Sequence, residues 1–201
     1  MEVVLQCVIA YLLGSIPSGV WIGKNFYNKD IRDYGSGNTG ATNTFRILGP
    51  KAGVLALIGD VLKGVIATLI PIYFGSPIHP MLIGLFAILG HVYPIFLKFK
   101  GGKAVATSAG VAIAVHPLFV LIFALIFIII LFTTSMVSVA SMLAVFLAAV
   151  GSLFINDPIF SAIVWFLSFL IIYLHRTNIT RIRNKEESRV PFGLNSSKKN
   201  K

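Results

Sequence analysis

Three short polar segments carry most of the chemistry that this chain of 201 residues could do. The first is Asp30-Ile31-Arg32-Asp33-Tyr34-Gly35-Ser36-Gly37-Asn38-Thr39-Gly40-Ala41-Thr42-Asn43-Thr44-Phe45-Arg46. The second is Lys100-Gly101-Gly102-Lys103, and the third is His175-Arg176-Thr177-Asn178-Ile179-Thr180-Arg181. Glycine lacks the Cβ that would hold a ligand away from the main chain, and consecutive N–H groups in such turns form anion-binding nests. A helix starting near Thr42-Asn43 would add its positive N-terminal end. With Arg46, Lys100 and Lys103 supplying charge, phosphate is the expected ligand. Each segment alone also reads as an ordinary loop or as a rim of topology-setting lysines. The density of small residues, arginines and aspartates in the 28-residue stretch 24–51 favours an anion site over a plain connector.

Several familiar chemistries are excluded. Gly35-Ser36-Gly37-Asn38-Thr39-Gly40 matches G-x-G-x-x-G, but that pattern has meaning only inside a βαβ unit, and none is present. Gly35 through Thr42 approaches a P-loop, yet Ala41 stands where the lysine is obligatory. No histidine has an aspartate five residues on, so the H-x-x-x-x-D motif of coenzyme A-dependent glycerolipid acyltransferases is missing, as is a G-x-S-x-G elbow. The single Cys7 permits neither an intrachain disulfide nor a zinc cluster. His91 is an ionisable group within apolar sequence, which reads as functional or as a hydrogen-bonded structural histidine. His116, beside Pro117, reads as structural. Asp60 and Lys63, spaced i, i+3, read as a structural ion pair or as direct participants.

The elements that must position these groups are membrane helices. The chain is 56% hydrophobic and 12% charged, its mean hydropathy is +0.87, and a water-soluble fold is excluded on that balance. The net charge of +10 then reads as membrane orientation, with no nucleic-acid partner. The first apolar run, 3–23, follows Met1-Glu2 without a basic region or cleavage site, and is expected to be a retained helix. Residues 52–97, split at Gly75-Ser76-Pro77, form a helical hairpin containing Lys63, the one basic residue expected within a span. Residues 104–174 hold no lysine or arginine over 71 positions. Basic clusters on both sides place both ends in the cytoplasm, so an even number of spans separates them. Two spans would average about 35 residues and four about 18, and four fits a bilayer. Turns are expected at His116-Pro117, Thr133-Thr134-Ser135 and Asn156-Asp157-Pro158, with a short helix over 104–115. The expected fold is an all-α polytopic membrane protein of about seven transmembrane helices, N-terminus outside and C-terminus cytoplasmic. Residues 1–175 form one transmembrane domain with cytoplasmic loops at 24–51 and 98–103, and 176–201 a cytoplasmic basic tail.

The segments, taken with Gly14-Ser15-Ile16-Pro17-Ser18-Gly19, Asp60-Val61-Leu62-Lys63-Gly64, Gly90-His91 and Phe99 through Thr107, resemble the bacterial acyl-phosphate:glycerol-3-phosphate acyltransferases over nearly the whole chain. The resemblance implies transfer of an acyl group from acyl phosphate to the 1-hydroxyl of sn-glycerol 3-phosphate, giving lysophosphatidic acid and phosphate in the first acylation of phospholipid synthesis. It implies no cofactor, no metal, and no requirement for coenzyme A or acyl carrier protein. The protein would lie in the bacterial cell membrane with its site facing the cytoplasm. Ser36, Arg46, Lys103, His175 and Asn178 are the residues the resemblance marks for activity, with His91 or a substrate phosphate as base. Gly35, Gly37, Asn38, Thr39, Gly40, Thr42 and Asn43 would hold one substrate's phosphate, and Lys100, Gly101 and Gly102 the other's. Family members commonly carry a glycine two residues before a glutamate after the third segment. Lys185 stands there, ahead of Glu187, whose implied role is structural. An organophosphate transporter would instead show midplane charges and inverted repeats, and a scaffold subunit would need no such polar segments; the chain shows no repeat.

Overall fold

The computed structural model describes residues 2–196; Met1 and the last residues of the expected tail, 197–201, lie outside the described residues. Among the described residues the structure is all-helical, and its contacts divide it into two compact units, one up to Pro117 and one from Leu118.

The first unit begins with α1 (Val3–Gly14) and α2 (Ser18–Tyr27), bent by 43° at the break between them. The single helix expected over 3–23 is therefore a broken one. Pro17 has no N–H to continue the ladder and adopts φ −90°, ψ 77°. Because α2 continues to Tyr27, Lys24 lies in its last turn rather than in the following loop. A 310 turn at Ile31–Asp33 precedes α3 (Ala41–Leu48), and α4 (Pro50–Tyr73) follows at once, so the expected loop 24–51 is mostly ordered secondary structure. The hairpin partner α5 (Pro80–Val92) leads through a second 310 turn, Ile95–Leu97, to α6 (Val105–Ile113). Nine residues rise only about 14 Å, too little to cross a bilayer.

Small residues let these helices approach closely, as they do where hydrophobic burial cannot drive association. A Cβ on Gly14 would strike the backbone of Ala87 in α5, and one on Gly64 the carbonyl of Thr107 in α6. Ala10, Ala67, Ile83 and Ala87 form the buried apolar centre.

The second unit holds α7 (Pro117–Thr134), α8 (Val137–Ser152), α9 (Pro158–Leu174) and α10 (Arg176–Arg183), the last two bent by 53°. Asp157 caps α9 by accepting from Phe160 N at 2.9 Å, and α8 packs on α9. The segment after α10 is pinned to the α7–α8 turn, where Val190 N donates to the Ser135 carbonyl and Leu194 N to the Phe132 carbonyl, both at 2.8 Å. Helix boundaries fall at each of the three expected turns in 104–174. Three apolar helical stretches among the described residues are long enough to span, or five if each bent pair is one span; α6 and α8 are shorter.

Candidate active site

The glycine-rich segment is held by two clamps. Asp30 accepts from Arg32 N, Nε and Nη2, at 3.1, 2.9 and 2.6 Å, and Lys24 joins at 3.2 Å. The Arg32 hydrogen bonds hold the Asp30 carboxyl well below the usual carboxylate range, and the same contact raises Arg32. Behind this clamp, Ile31 is fully buried. A Cβ on Gly19 of α2 would lie 2.7 Å from the Thr39 carbonyl, so the segment can seat on α2 only because that position is glycine.

The second clamp is Asn43 in the first turn of α3, 1% exposed. Its Nδ2 lies within hydrogen-bonding distance of the carbonyls of Ile31 (2.8 Å), Asn38 (3.0 Å) and Tyr34 (3.2 Å). Its Oδ1 accepts from Ser36 N at 3.0 Å and from Arg46 Nη1 at 3.4 Å. Gly35 and Gly37 have φ of 61° and 69°, the left-handed region that glycine enters without strain, and a Tyr34–Gly37 turn closes between them. Asn38 Oδ1 accepts from Gly40 N at 2.9 Å just before α3 begins at Ala41. Ser36, Asn43 and Arg46 are thus brought together, with Thr42 and Arg46 exposed and Thr39 buried.

A second polar group lies within the same unit. Lys63 Nζ is 2.8 Å from Asp60 Oδ1 and donates at 2.9 Å to the Ile16 carbonyl at the α1–α2 break, which also accepts from Ser18 N at 3.2 Å. His91 Nδ1 lies 3.1 Å from Thr107 Oγ1 and 3.6 Å from Asp60 Oδ1. The Lys100–Lys103 turn folds back on this histidine: Gly101 N donates to the Val92 carbonyl at 3.1 Å and Gly102 N to the His91 carbonyl at 3.0 Å. Lys100 is exposed and Lys103 half-buried. A cavity of about 10 Å³, lined by Ser15, Ser18, Thr39, Asp60, Lys63 and His91 among others, joins the two polar groups. Beside it an apolar groove of about 310 Å³ runs along Ile9, Leu12, Leu13, Ile16, Trp21 and Phe96, with Ile16 common to both.

The third segment belongs to the second unit. His175 is buried at the α9–α10 bend with Nδ1 2.8 Å from the Ile171 carbonyl. Asn178 Nδ2 donates to Glu187 Oε1 at 2.6 Å, and Arg176 stacks 4.7 Å from the Tyr173 ring centre. Lys185, at the place where the family resemblance calls for glycine, has φ 61°. Sequence reasoning did not find the Asp30–Arg32 clamp or the His91–Thr107 contact; Asp30 two residues before Arg32 was the available signal for the first.

Residues 4–185 match the family described as Glycerol-3-phosphate acyltransferase. The glycerol-3-phosphate acyltransferase of Streptococcus thermophilus strain CNRZ 1066 is 50% identical over 213 residues, covering 100% of this chain and 99% of its own. That of Lactococcus lactis subsp. lactis is 49% identical over 208 residues, with 98% of each chain covered. The fold is similar to crystal structures of PlsY (YgiH), an integral membrane glycerol 3-phosphate acyltransferase. Its glycerol 3-phosphate form superposes with a TM-score of 0.85 at 41% identity, over 93% of this chain and 94% of that one. Its lysophosphatidic acid form gives 0.85 at 39%, over 92% and 94%.

Proposed function

This chain belongs to the glycerol-3-phosphate acyltransferase family, an integral membrane enzyme of lipid synthesis, and from that membership we propose the reaction and site in finer terms. The donor is an acyl phosphate. The 1-hydroxyl oxygen of sn-glycerol 3-phosphate attacks the acyl carbonyl carbon, the bond from that carbon to the phosphate oxygen breaks, and lysophosphatidic acid and inorganic phosphate leave. The hydroxyl proton has two candidate acceptors, His91 and the departing phosphate. An acyl phosphate is already activated, so no covalent acyl-enzyme is needed, and orientation with charge stabilisation supplies the rate.

Two phosphate groups must meet at one carbonyl, which calls for cations and backbone donors on both. The observation that carries the reading is the Asn43 side-chain oxygen Oδ1, which holds the Ser36 N–H and the Arg46 guanidinium to one point of the glycine-rich segment. We assign Gly35 to Asn43, with Ser36 and Arg46, to one phosphate, and Lys100 to Lys103 to the other. Asn43 acts within this segment by shaping it. His175 and Asn178 are further residues on which transfer depends. The apolar groove meeting the polar cavity at Ile16 suits the acyl chain.

About seven transmembrane helices, with the short α6 a part-length one packed inside the bundle, an outside N-terminus, a cytoplasmic C-terminus and a site on the cytoplasmic face of the bacterial cell membrane complete the proposal. The five spans obtained by joining bent pairs, with α6 and α8, make seven helical segments, and the basic clusters set the orientation.

The test is turnover by purified protein in detergent. Acyl phosphate alone should support acylation, with acyl-coenzyme A and acyl carrier protein inactive; activity only with a thioester refutes the donor. Arg46→Lys keeps the charge but loses the forked donor geometry, and Lys103→Ala removes a cation. Each should lower kcat/KM by roughly 30- to 1000-fold, about 2–4 kcal/mol, while Lys29→Ala on the exposed loop stays near parental.

A further inference from the structure

We propose that residues 188–195 form a strap that ties the C-terminal end of α7 to α10 and, through Glu187, holds the Asn178 amide in its working orientation. Val190 and Gly193 are then positioning residues for acyl transfer. The proposal rests on the reading of Asn178 as a residue on which transfer depends, and gives the tail a part beyond carrying positive charge.

α7 has no buried residue of its own. Near its start the Phe119 ring meets Phe160 of α9 edge-on, with centroids 5.1 Å apart. Its last turn is held by the tail. The final carbonyls of a helix lack intrahelical donors. Here the carbonyls of Phe132 and Thr133 accept from Leu194 N at 2.8 Å and Asn195 Nδ2 at 2.7 Å, and that of Ser135 from Val190 N at 2.8 Å. Arg189 Nη1 donates to the Asn195 carbonyl at 2.8 Å and closes the strap on itself. Gly193 is required twice over. Its φ is 94°, and a Cβ there would lie 2.5 Å from the Phe132 carbonyl oxygen and 2.8 Å from Ser135 Oγ. A tail that only carried charge would need none of these contacts.

Glu187 sits between two anchors. Before it, Lys185 at φ 61° ends α10, with Lys185 N donating to the Ile182 carbonyl at 3.1 Å and Glu186 N to the Arg181 carbonyl at 2.8 Å, the double bond pattern of a left-handed helix stop. Three residues after it, Val190 is fixed to the α7–α8 turn. Glu187 Oε1 accepts from Asn178 Nδ2 at 2.6 Å, while Oε2 is enclosed with no hydrogen-bond partner among the described residues. An enclosed carboxylate oxygen without a donor is drawn toward water, so a chain free beyond residue 187 would let this side chain swing out. A carboxylate can only accept, so the contact fixes which edge of the Asn178 amide faces Glu187 and turns Oδ1 the other way.

The test uses the full-length protein in detergent, with monodispersity and melting temperature recorded for each variant. Acyl transfer and timed trypsin cleavage after Arg189 are measured separately. Gly193→Val should release the strap: cleavage after Arg189 should quicken about tenfold or more. In the same protein kcat/KM should fall roughly 10- to 100-fold, as for a group displaced by about 1 Å. Val190→Pro removes the donor to the Ser135 carbonyl, should do the same, and decides the matter where Gly193→Val fails to fold. Glu187→Gln keeps an acceptor for Asn178 and should stay within about threefold of the parent, whereas Glu187→Leu should lose at least as much as Gly193→Val. Adding Gly193→Val to Glu187→Leu should cost less than about twofold more, because both act on one amide; a merely structural strap gives losses that multiply. Asn178→Ala takes the place of Glu187→Leu in this cycle if the latter does not fold. Multiplying losses, a parental rate in a variant whose strap is released, or a parent cut after Arg189 as fast as Gly193→Val each overturn the proposal. Asn178→Ala also separates the proposal from its premise. A parental rate there refutes the role of Asn178 in transfer, and a lost rate there beside a parental rate in released Gly193→Val refutes only the strap.

Discussion

Asn43→Asp replaces one atom of the clamp at the centre of the glycine-rich segment. The Oδ1 side survives, since a carboxylate accepts from Ser36 N and Arg46 as well as an amide does. The Nδ2 side reverses sign: an oxygen now faces the carbonyls of Ile31, Asn38 and Tyr34 at separations of 2.8 to 3.2 Å. Two hydrogens served those three carbonyls, so two hydrogen bonds are lost in a buried setting, at about 1–3 kcal/mol for each group left unsatisfied. The stronger charge-assisted bond from Arg46 offsets part of this, by about 1–2 kcal/mol. The net, about 1–4 kcal/mol, loosens Ser36 and Arg46 together and should lower kcat/KM by roughly 5- to 1000-fold. Acyl transfer by purified protein reads that loss, and limited proteolysis across residues 31–40 reads the loosening. Turnover within about threefold of parental, with the segment still protected, refutes the clamp. A raised KM for one substrate in a segment that remains protected would instead make Asn43 a direct phosphate ligand.

The Asp60–Lys63 pair should behave as a buried structural ion pair: Lys63→Met strands a buried carboxylate and removes one of two donors to the Ile16 carbonyl, at about 3–5 kcal/mol. Combining it with Asp60→Asn should recover part of the lost melting temperature in detergent, and strictly additive losses would show that the two side chains act apart. Asp30 gives a pH dependence. Its folded pKa lies below the unfolded value, so its contribution is present above about pH 4 and is lost as pH falls through the folded value. The pair is partly exposed and is worth on the order of 1 kcal/mol. The melting-temperature gap between parent and Asp30→Asn should therefore be present at pH 7 and narrow toward pH 3; a gap that widens with acid contradicts the assignment.

Breakers were legible because they act locally. Gly75-Ser76-Pro77 and the three turns in 104–174 end helices wherever they occur in an apolar run, and the structure turns at each of them. The α1–α2 break is visible as Gly14, Ser15 and Pro17 inside a run, 3–23, that by length and hydropathy reads as one helix. What makes it a true break is partly a donor 47 positions away, since Lys63 Nζ hydrogen-bonds the Ile16 carbonyl at the break. The polar cluster is illegible for the same reason: residues 16 apart on α5 and α6 meet only after the helices pack. Asn43 was legible as a polar residue beside a glycine-rich turn, and spacing alone could not tell a side chain aimed at a ligand from one aimed back at Ile31, Asn38 and Tyr34.

This division has a consequence for how the site must be dissected. The charges suited to grip phosphate, Arg46 and Lys100, are exposed, while Asn43, Asp60, Lys63 and His91, which shape their surroundings, are almost wholly buried. In a fold whose helices meet through glycine and alanine there is little apolar interlocking to fix a polar loop, so buried amides and ion pairs must do that positioning. Removing any of them leaves unsatisfied polar groups and displaces a cation at once. Loss of activity on alanine substitution would therefore mark both kinds of residue alike. Only a split between kcat and KM, a retained pH profile, or rescue by an isosteric partner distinguishes the groups that touch substrate from those that hold them in place.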